Sequence, residues 1–169
     1  MNALKVSLTI CCLIAGNYCI AQSDECTFDL ETQTDKFIRE VSEFKNYSWN
    51  DKLKDATIAL DNGDTIIAHR GGCTHFGVSG KWTLKNNSHD IDEIDYWIEK
   101  LIWISERIMS DDDNEILNDL IKEKNYKKVL SNNKLTLDFQ NHNYVEWYLV
   151  VEIDKDSKVA TLETSHYIN

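Results

Sequence analysis

The chain has 169 residues, a formal net charge of −11, five cysteines and no proline. Its length suits one domain with a single hydrophobic core. The excess of carboxylates repels nucleic acid and anionic membrane surfaces, which excludes both as charge-driven partners. A partner attracted by charge would be a basic protein, and charge that serves only solubility is the alternative.

The first residues have the layout of a secretory signal peptide. Lys5 precedes a short apolar run, and small residues follow up to Ala21. The run is too short to cross a bilayer, which takes about 20 apolar residues. We therefore predict a signal peptide at residues 1–21 and a single exported domain at residues 22–169, periplasmic or secreted, with no stable membrane anchor after cleavage.

Signal cleavage would remove three cysteines and leave Cys26 and Cys73. Two cysteines in an exported chain predict one disulfide bond, because export places them in an oxidising compartment. The loop that this bond would close is long, so loop-closure entropy gives the bond a worth of about 4 kcal/mol. Cys73 is therefore predicted to be structural rather than a reactive thiol.

The first predicted element of the exported domain is an amphipathic helix over residues 29–45. Phe37, Val41 and Phe44 recur there at the spacing of one helical face. Such a stripe needs a partner, so we expect this helix to pack against the rest of the core.

Three strands are predicted next, after a loop that carries Tyr47 and Trp49. The Asn-Gly pair at residues 62–63 lies between alternating apolar runs and predicts a hairpin, because both residue types tolerate positive φ. The Gly-Gly pair at residues 71–72 ends the second strand. A third strand is predicted over about residues 74–84, with alternating apolar side chains on one face.

The period then changes to that of helices. Residues 90–109 carry a stripe of isoleucine and leucine, and Asp90 with Glu93 can cap its start. A second stripe follows over residues 110–126, with Ser110 as its cap. Because the two helices are joined so closely, we expect an antiparallel helical hairpin.

The C-terminal part alternates again, which predicts strands over residues 135–139, 145–153 and 158–168. Runs of strands and runs of helices that are segregated along the chain predict the α+β class. The expected architecture is an antiparallel sheet from two three-stranded meanders, with an inserted helical hairpin and an N-terminal helix packed on one face.

The stretch HRGGCTHFGV, residues 69–78, concentrates the side chains that could carry chemistry. His69, Cys73 and His75 are zinc or copper ligand types, and a cysteine with a histidine could form a thiolate and its base. The spacing matches no zinc module, and Cys73 has a disulfide partner available in Cys26. We therefore predict no metal, no cofactor and no catalytic residue in this stretch.

The glycines of this stretch permit a bulge or a tight bend, which a disulfide at Cys73 would make rigid. His69, Arg70, Thr74 and His75 would then lie on an anchored rim. They are the predicted binding residues, because a stiff loop loses little entropy on docking. A conformational corner without a ligand is the alternative.

In size, charge and compartment the chain resembles bacterial periplasmic inhibitors and immunity proteins, a likeness that transfers no residue roles. The sequence predicts an exported acidic binding protein of inhibitor or immunity type, directed at a basic partner and not at nucleic acid. The alternative is a small exported enzyme or metal-binding protein that uses His75 and nearby carboxylates.

Overall fold

The computed structural model describes residues 26–140 and 145–168. The predicted signal peptide lies outside the described residues, and so do residues 141–144, between the predicted strands at 135–139 and 145–153. Within the described residues, no helix is long and apolar enough to cross a membrane.

The fold is α+β with an antiparallel sheet, as the segregated periodicities predict. The described strands are β1 (Tyr47–Asn50), β2 (Asp55–Ala59), β3 (Thr65–Gly71), β4 (Phe76–Leu84), β5 (Tyr126–Ser131), β6 (Lys134–Gln140), β7 (Val145–Asp154) and β8 (Val159–Ile168). The described α-helices are α1 (Lys36–Arg39), α2 (Ile94–Ile108) and α3 (Asp111–Lys122), with 3-10 turns at Leu30–Thr32 and Ser42–Phe44.

The strand order is β1-β2-β3-β4-β8-β7-β6-β5, with antiparallel pairing throughout. The first four strands form one meander and the last four form another. Between them, α2 and α3 carry the chain from β4 at the centre of the sheet to β5 at its far edge. The second meander then returns to the centre, where β8 pairs with β4.

The core lies between one face of the sheet and the helices. Ala68, Gly80, Thr164 and Leu149 are adjacent in register across the four central strands, and all are buried. Helix α2 lies directly above them, because a Cβ added at Gly80 would be 2.5 Å from Cδ1 of Ile104. The opposite face of the sheet carries no helix among the described elements and is called the open face below.

The sheet has eight strands where six were expected. The segment with Tyr47 and Trp49, interpreted as a loop, forms edge strand β1. The second additional strand, β5, forms the other edge. Its side chains are mostly exposed, including Val129 and Leu130, so the alternation between buried and exposed positions that marks a strand is absent.

The predicted N-terminal helix is instead three short turns. Val41 has extended backbone angles, φ −76° and ψ 114°, which interrupt any continuous helix. Phe37 packs edge-on against Trp49 with 6.3 Å between ring centroids, and Phe44 does so against Trp103 with 6.1 Å. The phenylalanines at helical spacing therefore pack against tryptophans of other elements, although the segment that carries them is not one continuous helix.

Candidate functional site

The bend between β3 and β4, residues 72–75, is covalently anchored and is called the disulfide bend. Cys73 is bonded to Cys26 with a Cα–Cα distance of 4.5 Å, as the cysteine count predicts. The amide of Phe28 donates to the carbonyl of Cys73 at 3.1 Å. Gly72 has φ +148°, and a Cβ there would be 1.8 Å from the carbonyl oxygen of His75, so the bend requires glycine.

A buried glutamine fixes the N-terminal segment to the same bend. Gln33 is 5% exposed, and its Nε2 donates to the carbonyl of Gly72 at 2.9 Å. Its Oε1 accepts from the amide of Gly72, also at 2.9 Å. A Cβ at Gly71 would be 2.2 Å from that same Oε1, so the side chain fits only against glycine. The disulfide and this amide pair together hold residues 26–37 against the end of β3.

The structure does not bring the four predicted binding residues into one cluster. Thr74 and His75 are exposed on the disulfide bend. His69 and Arg70 are neighbours on β3 and therefore point to opposite faces of the sheet. His69 lies on the open face, and Arg70 lies on the helix face, where it is in register with buried Val78.

The guanidinium of Arg70 lies near two aromatic rings. Its guanidinium carbon is 5.8 Å from the ring centroid of Phe37 and 5.8 Å from that of Phe76. It borders a cavity of about 300 Å³ between β3 and the N-terminal segment. The cavity is lined by Thr32, Gln33, Thr34, Lys36, Phe37, Arg70 and Phe76.

His69 belongs to a polar cavity on the open face. Its Nδ1 is 2.8 Å from Oδ1 of Asp55 and 3.1 Å from the carbonyl of Leu53. Because both neighbours are acceptors, Nδ1 of the neutral ring carries the proton and Nε2 is left as an acceptor. Ser79 and Ser165 follow His69 in register across the sheet, and all of these side chains except Leu53 border a cavity of about 390 Å³.

Two tyrosines complete that cavity, and neither of its serines is hydrogen-bonded to His69 within the described residues. The ring of Tyr167 lies on Gly77, where a Cβ would be 2.8 Å from two ring carbons, and Tyr148 donates to Glu146 at 2.8 Å. A serine nucleophile needs a hydrogen bond of this kind to its base.

The negative charge is concentrated in one layer of the molecule. Twelve carboxylate side chains and four lysines and arginines lie between residues 86 and 125, which gives this segment a net charge of −8 out of −11 for the chain. The segment contains α2, α3 and their flanking loops, and it is called the acidic helical layer. It covers the helix face of the sheet, away from the cavity of His69.

Helix α3, the second helix of the acidic helical layer, begins at the end of the sheet that carries the disulfide bend. Ser110 caps α3, since its hydroxyl accepts from the amide of Asp113 at 3.3 Å. Oδ1 of Asp113 is 3.6 Å from Nε2 of His166, which pairs in register with Val78, two residues into β4. The exposed carboxylates of the first turn of α3 and the disulfide bend therefore occupy the same end of the molecule.

An ion pair joins the acidic helical layer to the N-terminal segment. Arg107 of α2 lies 3.9 Å from the Trp103 ring centroid and donates to Glu43 at 2.5 Å. A hydrogen bond from Ser42 and the one from Arg107 lower the pKa of Glu43 to about 2. Glu43 therefore stays ionised over the whole physiological pH range.

The described residues hold no group of three His, Cys, Asp or Glu side chains placed to bind a metal ion. His75 makes no hydrogen bond or ion pair with a carboxylate of the described chain, so no observation favours an enzyme or metal site built on it. In comparisons with family models, curated proteins and solved structures, nothing matches the chain. Its function is therefore inferred from its own residues and geometry.

Proposed function

We propose that the protein is an exported binding protein of inhibitor or immunity type that docks a basic partner at the end carrying the disulfide bend. The observation that carries this proposal is the net charge of −8 in the acidic helical layer. The disulfide between Cys26 and Cys73 supports export, because such bonds persist in oxidising compartments.

The charge layer would act on the rate of encounter. Carboxylates that are gathered on one side create a directional field, which raises the association rate with an oppositely charged protein by about 10- to 1000-fold. The first turn of α3 carries Asp111 and Asp112, both exposed, beside the disulfide bend. These two carboxylates would add to the attraction of a basic partner at the end of the molecule where the bend is located.

The bend would supply the short-range contacts. Thr74 and His75 are exposed, and the backbone that carries them is held by the disulfide, by the hydrogen bond from Phe28 and by Gln33. A surface that is already rigid loses little conformational entropy when it docks. Contacts of this kind act mainly on the dissociation rate.

The test separates these two roles with matched variants. In the layer variant, four exposed carboxylates of α3 are neutralised: Asp111→Asn, Asp112→Asn, Glu115→Gln and Asp119→Asn. In the control variant, four exposed carboxylates outside the layer are neutralised: Glu31→Gln, Glu40→Gln, Asp61→Asn and Asp156→Asn. Both variants change the net charge by the same amount.

Rates are measured by surface binding to a partner that is captured from a periplasmic or culture extract. We expect the layer variant to associate at least about tenfold more slowly at low salt, with the control variant much closer to the parent protein. His75→Ala should instead raise the dissociation rate. Equal slowing by both four-residue variants would contradict a directional field, and an unchanged dissociation rate for His75→Ala would remove the bend from the interface.

A further inference from the structure

Arg70 is unusual among the three arginines of the chain. Arg39 is paired with Asp35 at 2.5 Å and Arg107 with Glu43 at 2.5 Å. The guanidinium of Arg70 makes neither an ion pair nor a hydrogen bond within the described residues. Its planar fork of five N–H donors therefore lies near aromatic rings without using its hydrogen-bonding capacity.

The surroundings of Arg70 are positive, although the chain as a whole is strongly acidic. Lys36 lines the same cavity of about 300 Å³, and no Asp or Glu does. Thr34 adds a hydroxyl group to the lining. A site with two cations, a hydroxyl donor and no competing carboxylate is suited to an anion.

The two phenylalanines restrict the kind of anion. Phe37 and Phe76 line the cavity as apolar walls, each with its ring centroid 5.8 Å from the guanidinium carbon. A strongly hydrated inorganic anion would gain nothing from these walls, whereas an organic acid could place its apolar part against them. The guanidinium fork matches the two oxygens of a carboxylate.

From this geometry we infer that the cavity at Arg70 binds an organic carboxylate, with the carboxylate on the guanidinium and the attached apolar group against the parts of Phe37 and Phe76 that line the cavity. The same chemistry is offered by a free aromatic acid and by the C-terminal residue of a protein chain. This inference stands independently of the acidic helical layer and of any basic partner.

The disulfide makes the site rigid. Arg70 and Phe76 belong to β3 and β4, whereas Lys36 and Phe37 belong to the N-terminal segment. These two walls of the cavity are joined by the Cys26–Cys73 bond and by the Gln33–Gly72 amide pair. A cavity held open in this way needs little reorganisation when it takes a ligand.

The experiment titrates the oxidised protein with benzoate, its neutral analogue benzamide, inorganic phosphate and the dipeptide N-acetyl-glycyl-phenylalanine. Isothermal calorimetry gives the affinity, and the Nε–H resonance of each arginine in an NMR spectrum reports the contact. We expect benzoate or the dipeptide to bind with a Kd of about 1 mM or tighter, to shift the Arg70 resonance, and to leave that of Arg39 in place. Benzamide and phosphate should bind at least about tenfold more weakly.

Matched variants localise the binding. Arg70→Gln should abolish it, and Arg70→Lys should weaken it about tenfold because the bidentate fork is lost. Arg39→Gln removes the same charge nearby but outside the cavity, so it should leave the affinity within twofold. Tighter binding of the dipeptide than of benzoate would assign the site to a protein C-terminus, and the reverse order would assign it to a free acid.

Four results would overturn the inference. The first two are equal affinity for benzoate and benzamide, and tighter binding of phosphate than of either organic acid. The third is an equal loss of affinity in Arg70→Gln and Arg39→Gln. The fourth is no saturation by either organic acid below about 10 mM.

Discussion

His166 is an ionisable side chain within the core. It is 2% exposed, and its ring stacks on that of Trp147 with 4.6 Å between centroids and 11° between planes. Burial lowers the pKa of the imidazole below its ordinary value of 6.5, because a desolvated imidazolium is disfavoured, and the carboxylate of Asp113 offsets only part of that effect. The native protein therefore holds this histidine neutral at a pH where the unfolded chain protonates it.

This burial predicts a loss of stability on acidification. Between the lowered native pKa and about 6.5, the unfolded state binds a proton that the native state does not, so the free energy of unfolding rises with pH. The contribution of His166 to the free energy of unfolding is therefore greatest above pH 6.5 and declines as the pH falls below that value. His166→Phe keeps a ring on Trp147 and removes the titration, so urea unfolding between pH 5 and pH 8 should show a flatter profile. His75→Gln, at an exposed position, should retain the parent slope, and a parent slope in His166→Phe would contradict this assignment.

The difference between the two faces of the sheet can be tested on strand β7. Trp147 is 1% exposed on the helix face, whereas Tyr148, its neighbour in sequence, lies half-buried on the open face with its hydroxyl bonded to exposed Glu146. Trp147→Ala should lower the free energy of unfolding by about 3–5 kcal/mol, because truncation leaves a cavity in the core.

Tyr148→Ala provides the matched control for that measurement. We expect it to lower the free energy of unfolding by about 1 kcal/mol or less, because its ring borders a cavity on the open face rather than the core. Urea unfolding of both variants gives the two values. A small loss for Trp147→Ala would mean that the orientation of the sheet is reversed.

At this scale of helices and strands, the sequence predicts the strongly periodic elements and misses those at the edges. The helical stripes and the cap at Ser110 identify α2 and α3, because each has one face on the core. The short turns near Val41 place phenylalanines at the same intervals as a helix, so spacing alone does not distinguish them. Strand β5 has too few buried side chains to show an alternation of buried and exposed positions. Its exposed Lys127 and Lys128 suit an edge strand, because charged side chains discourage pairing with the strands of other molecules.

The candidate sites illustrate a second limit on prediction. The pairing of Cys26 with Cys73 follows from counting the cysteines that remain after the predicted signal peptide, and the structure agrees. The cavity at Arg70 could not be predicted from the sequence, because one of its walls is formed by Lys36 and Phe37, more than thirty residues earlier in the chain. Contacts between such distant segments are set by tertiary packing.

On the scale of the whole molecule, most of the net negative charge lies on one side of the sheet. The acidic helical layer carries −8 on one side of the sheet, and the open face carries mixed charges such as the Lys81–Glu163 and Lys134–Glu152 pairs. Composition reveals the excess of carboxylates, but only the fold places residues 86–125, with their net charge of −8, in one layer. Under the proposed function, that placement would give the attraction for a basic partner a direction.

The most direct measurement of the proposed binding role is the association rate of the oxidised protein with its captured partner across a salt series. Attraction by the acidic helical layer is screened over about 8 Å at physiological ionic strength, so the association rate should fall steadily from low salt to about 0.5 M salt while the dissociation rate changes little. The variant neutralised at Asp111, Asp112, Glu115 and Asp119 should show a shallower dependence than the control variant. An association rate that is independent of salt, or one that is equally steep in both variants, would contradict the proposal.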